Sequence, residues 1–157
     1  MGSRLARLGA LCWLWAALAC GGDSLSPEEQ VRTVIEAMEQ AAEAGDVSAF
    51  KAVVSESYQD EHGFDKRDLA AYVTFHVMQN ANRHVVTRVR AIEIRDAGRA
   101  EVVLIAAITG RDVSGPEELA ALHADVYKID LDFDDEGEGD WRLVWAQWRT
   151  TAPSDLL

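Results

Sequence analysis

Residues 83–109 read RHVVTRVRAIEIRDAGRAEVVLIAAIT, and a change of rhythm inside this stretch decides the fold. Val85, Thr87, Val89 and Ala91 alternate as one face of a strand does, after which the apolar positions jump to Ile92 and Ile94. A slip of one place is what a β-bulge produces, and a bulge bends the sheet that contains it. Asp96-Ala97-Gly98-Arg99 reads as a turn. The almost unbroken apolar run from Ala100 to Thr109 reads as a central strand covered on both faces.

Downstream, Gly115-Pro116-Glu117-Glu118 begins a loop or short helical turn that reaches about His123. Asp125, Tyr127, Ile129, Leu131 and Phe133 then alternate on a third long strand. After the acidic loop Asp134–Asp140, regular alternation puts Trp141, Leu143, Trp145, Gln147 and Arg149 on one face of the last strand. Trp148 falls opposite them, beside Val144 and Ala146, on a sheet face that would suit a homodimer contact.

Upstream the period is helical. Ser26-Pro27-Glu28-Glu29 has the form of a capping box with proline at the first helical position, and Gly45 closes the helix it opens. Val31, Val34, Ile35, Met38 and Ala42 form its apolar stripe. Asp46 caps a second, shorter helix carrying Phe50, Val53 and Val54. Residues 58–63 are an extended piece and a turn, and Asp65 with Asp68 opens a third helix. The apolar face of that helix is Leu69, Tyr72, Val73, His76 and Val77. Helices first and strands afterwards predict an α+β domain, with three N-terminal helices packed on a strongly bent antiparallel sheet.

The first twenty residues predict export. Arg4 and Arg7 precede an uncharged apolar run from Leu8 to Ala19. Such a run is too short to span a bilayer, which needs about 20 residues, and suits a signal sequence. Ala17-Leu18-Ala19-Cys20 resembles the lipobox of bacterial lipoproteins, where the cysteine is acylated and becomes the new N-terminus; ordinary peptidase cleavage would cut the same bond. The expected organisation is a signal peptide over 1–19 and a lipidated tether over 20–25. A domain over 26–152 and a C-terminal tail over 153–157 follow. Cys12 leaves with the signal, so the domain folds without disulfides. Gly21 rather than aspartate after Cys20 implies the outer membrane in the Gram-negative sorting pattern, with the domain facing the periplasm. A formal net charge of −12 argues against nucleic-acid binding.

The element order, Tyr58-x-Asp60-x-x-Gly63 between the second and third helices, and the tryptophan-rich last strand together resemble the nuclear transport factor 2-like superfamily. These cystatin-like cones include ketosteroid isomerases and SnoaL-like cyclases. The resemblance implies a concave mouth where the sheet wraps a helix. It also implies that Asp60, three residues before a glycine, stands where the isomerases hold their general base. Glu61 replaces the proline that follows that aspartate in the enzymes. Tyr58 or Tyr72 would polarise a substrate oxygen, with His76 and Asp125 as further polar groups, and Trp145 with Gln147 would form a pocket wall.

Several chemistries are absent. There is no glycine-rich phosphate loop, no G-x-S-x-G and no Cys/His nucleophile pair, so no cofactor is expected. His62, His76, His84 and His123 lack metal-ligand spacing. Asp132-x-Asp134-x-Glu136-Gly137 resembles the start of a calcium loop, but Leu143 occupies the twelfth position, so an acidic hairpin loop is the expectation. The function expected is a membrane-anchored, non-catalytic module for a small apolar ligand or an envelope partner. The alternative is a cofactor-free isomerase, cyclase or dehydratase with Asp60 as general base.

Overall fold

The computed structural model describes residues 25–79, 84–96, 98–110, 118 and 125–156, except for the side chains of 76–79 and 125. In chain order these form α1 (Pro27–Ala44), α2 (Val47–Ala52), β1 (Val54–Asp60) and α3 (Lys66–Gln79). Four long strands follow, β2 (His84–Arg95), β3 (Arg99–Thr109), β4 (Asp125–Asp135) and β5 (Trp141–Thr150), then a 3-10 turn over Pro153–Leu156. The export signal, Cys20 and most of the segment between Gly115 and His123 lie outside the described residues.

The helix boundaries follow from their caps. The Ser26 hydroxyl accepts from the Glu29 amide at 3.4 Å, while the Glu29 carboxylate accepts from the Ser26 amide at 2.8 Å. Gly45 ends α1 at φ 70°, a left-handed conformation that glycine adopts without penalty. Asp46 caps α2 through the Ala49 amide, and Asp65 takes the Arg67 and Asp68 amides at the start of α3. Val53 caps α2 at φ −94° and ψ 1° and Val54 begins β1, although the sequence spacing predicts both on the second helix; β-branched Val54 suits extended backbone better.

The sheet order is β1-β5-β4-β3-β2. Three of its pairings are antiparallel, but β1 runs parallel to β5, so the sheet is mixed rather than wholly antiparallel as the sequence predicts. A parallel pair cannot be closed by a hairpin, and here α3 with three strands supplies the long connection.

Two bulges shape the sheet. In β2, Val89 faces Leu104 and Ala91 faces Val103, which leaves Arg90 as the extra residue, just ahead of the slip expected after Ala91, and turns Ala91 to the face opposite Val89. In β5, Leu143 faces Phe133 and Trp145 faces Asp132, which leaves Val144 as the extra residue. The inner face of β5 therefore runs Trp141, Leu143, Ala146 and Trp148, whereas Trp145 and Gln147 belong to the outer face. Regular alternation predicts the reverse for Trp145, Gln147 and Trp148, and the bulge is the reason it fails.

The helices cover the inner face. Val31 and Ile35 of α1 join Val54, Tyr58, Val102, Phe133, Trp141 and Leu143 in a core that is almost fully buried. The Trp141 indole donates to Gln30 Oε1 at 2.8 Å, which ties α1 to the first turn of β5. Gly139, at φ 88°, lets the β4–β5 turn approach that pair closely; a Cβ there would lie 2.8 Å from Gln30 Oε1. On the outer face, Leu156 packs on Ile105, Ala107 and Val126. Arg88 holds the Leu156 carbonyl at 3.0 Å and Arg90 holds that of Asp155, so the C-terminal segment lies on the sheet.

Candidate functional site

One half of the inner space is packed solid and the other half is hollow. Beyond the core, α1, α3 and the inner sheet face enclose a cavity of about 280 Å³. Its floor and walls are aliphatic, with Ile35 and Met38 from α1, Leu69 and Val73 from α3, and Leu104, Leu131 and Leu143 from the sheet. Aromatic rings stand around it: Phe50, Tyr58, Tyr72, Tyr127 and Trp148. Tyr72 and Ile108, about 40% exposed, mark where it meets solvent. Trp148 packs edge-on against His62 at 4.9 Å and lies 5.9 Å from Tyr72, which in turn neighbours Phe64. These contacts fix the rings at the rim before any ligand arrives. Concave, mainly apolar walls with few polar groups are the usual form of a small-molecule site.

Polar groups also line the cavity. Glu39 lines it from α1, and its Oε2 accepts from Thr87 Oγ1 of β2 at 2.6 Å. The signal for Glu39 was present in the sequence, because it sits between Ile35, Met38 and Ala42 on the apolar stripe of α1. Tyr58 is 1% exposed and lines the cavity with its ring. Its hydroxyl donates to Asp60 Oδ2 at 3.4 Å, and burial, followed by the Asp60 carboxylate, pushes its ionisation well above the ordinary tyrosine range.

Asp60 stands behind this wall, not in it. It is 7% exposed and is absent from the cavity lining. Its Oδ1 accepts from the amides of His62 at 2.8 Å and Phe64 at 2.9 Å. The Gly63 amide closes on the Asp60 carbonyl at 3.0 Å, and Gly63 adopts φ 79°. The Asp60-x-x-Gly63 spacing is thus accounted for by a turn in which aspartate caps the amides and glycine takes the left-handed position.

The remaining sequence candidates are dispersed. Tyr72 lines the cavity. Trp145 lies on the outer face, in a shallow depression with Ser57, Arg99, Asp132 and Asp134. Burial and the neighbouring Glu101 carboxylate raise the ionisation of Asp132 there. Gln147 is also outside, donating to Glu61 Oε2 at 2.7 Å. His76 is on α3 and Asp125 begins β4 opposite Ile108, but their side chains are outside the described residues. Trp148, the residue offered for an outer-face dimer contact, faces the cavity instead. In the acidic hairpin loop, Asp135 is occupied by the Gly137 and Gly139 amides. Among the described residues no cluster of three metal-ligating side chains occurs.

No protein-family model matches the sequence, and no curated protein does. Solved structures do match in shape. A Nostoc punctiforme protein of unknown function with a cystatin-like fold superposes with a TM-score of 0.61 at 13% identity, over 79% of this chain and 90% of that one. A nuclear transport factor 2-like protein of unknown function from Shewanella oneidensis gives 0.59 at 11%, over 78% and 98%. The chain has the nuclear transport factor 2-like fold. The structure of Bdellovibrio bacteriovorus Bd1075 matches with a TM-score of 0.60 at 10% identity over 79% of this chain, which spans 40% of the Bd1075 chain. Identities this low establish the cone and leave its chemistry to be argued from the site.

Proposed function

We propose that this chain is an exported, lipid-anchored binding protein whose cone takes up a small apolar or amphipathic ligand without transforming it. The observation that carries the reading is the pairing of an open apolar cavity with an Asp60 carboxylate that is held by backbone amides outside it. A general base must reach the proton it removes, within hydrogen-bond distance or through one water. Export and acylation rest on the Leu8–Cys20 sequence. The chain enters α1 near the Gln30–Trp141 pair at the solid end of the cone, while the cavity extends toward Ala42 at the other end of α1. A short tether from Cys20 would therefore hold the solid end nearer the membrane and present the hollow end to the aqueous side.

The isomerase, cyclase or dehydratase reading keeps one supporting observation. Tyr58 reaches the cavity with its ring and Asp60 with its hydroxyl, so the pair could pass a proton through the wall.

Titration with a neutral naphthalene fluorophore tests the binding reading. The full chain should bind it, and Trp148→Ala should weaken binding by about tenfold, the scale of a lost aromatic contact. Trp145→Ala, on the outer face, should bind as the parent does. No saturable binding, or equal loss in the two variants, would contradict a site inside the cone.

A further inference from the structure

We infer that the cone selects a cationic amphiphile, a ligand with a compact apolar ring body and an ammonium head, and that Glu39 is the residue that reads the head. The inference rests on the binding reading above and specifies its ligand. Glu39 lies on a helical stripe where Ile35, Met38 and Ala42 are apolar, so an aliphatic residue there would have extended the wall. Glu39 is half-buried there, and a carboxylate that gives up part of its hydration needs partners in place of the water. A carboxylate offers about four lone-pair sites. Among the described residues it receives one hydrogen bond, from Thr87 Oγ1 at 2.6 Å.

Among the described residues no lysine, arginine or histidine faces the cavity. Glu39 is the one acidic side chain among the described lining residues, and an ammonium would pair with its carboxylate through charge-assisted hydrogen bonds. Tyr127 and Trp148 add aromatic faces, which attract cations through their ring quadrupoles. The chain's net charge of −12 acts in the same direction at long range, drawing cations and repelling anions. A ligand carboxylate would meet Glu39 as a like charge in an apolar enclosure. A volume of about 280 Å³ suits a body of two fused rings, not a long lipid chain.

The test compares 1-naphthylmethylamine, 1-naphthalenemethanol and 1-naphthoate, which share one apolar body, by calorimetric titration of the full chain at neutral pH. The amine should bind about tenfold tighter than the alcohol, as expected when the donor as well as the acceptor is charged, and the carboxylate weakest. Glu39→Gln, nearly identical in shape, should remove the preference for the amine over the alcohol. Equal affinities of the three compounds for the parent chain would overturn the inference, and that comparison needs no variant. An amine preference that survives Glu39→Gln would overturn the assignment to Glu39. If none of the three binds, it is the cavity reading itself that falls.

Discussion

Asp60→Ala should destabilise the domain by about 2–4 kcal/mol, lowering Tm by on the order of 10 °C, and should leave ligand affinity within about twofold. The size follows from what the carboxylate holds. Two backbone amides, of His62 and Phe64, donate to one of its oxygens, and the buried Tyr58 hydroxyl donates to the other. Alanine leaves all three donors without their acceptor, and an unsatisfied buried donor costs far more than a hydrogen bond exchanged with water. Asp60→Asn keeps an oxygen for the amides and should lose less than half as much. Thermal melts and probe titration on the same samples separate the two roles. A variant with parent-like Tm and abolished binding or turnover would return Asp60 to the active-site reading.

The larger effect is expected from Phe133→Ala, a loss of about 3–5 kcal/mol. Phe133 is fully buried, pairs with Leu143 across the sheet and forms part of the solid half of the core. Its removal deletes the transfer energy of an aromatic ring and leaves a void that neighbours on a paired sheet cannot collapse to fill. Urea unfolding should show a lower midpoint with an unchanged slope. A cost under 1 kcal/mol would mean that the residue is not packed as described.

The sequence announces the helices because local interactions determine them. The Ser26–Glu29 box, Gly45 and Asp46 act within four residues of themselves, and each is seen in its expected role. The slip in β2 is equally legible, since the apolar pattern visibly changes phase between Ala91 and Ile92. The slip in β5 carries a fainter signal. Read without a bulge, the face begun by Trp141 and Leu143 ends in the polar Gln147 and Arg149, whereas its reverse ends in Ala146 and Trp148. That exchange of character marks a phase change, but three tryptophans in eight residues hide it by making both faces look apolar. Regular alternation therefore misplaces Trp145 and Gln147, and Trp148 with them.

Other features depend on distant partners. The parallel pairing of β1 with β5 joins segments more than 80 residues apart, and nothing local encodes it. Asp60-x-x-Gly63 matches both a catalytic segment and a turn; only the two amides bound to Asp60 distinguish them. Glu39 was visible as a charge on an apolar stripe, yet its meaning required Thr87 from β2, 48 residues away.

The most direct test of the cone as a ligand site is an indole ¹H–¹⁵N spectrum of the full chain, titrated with 1-naphthylmethylamine and assigned through single Trp→Phe variants. The Trp148 resonance should shift progressively and saturate, while that of Trp145 stays in place. Shifts at Trp145 with Trp148 unmoved would put the ligand on the outer sheet face and contradict the account.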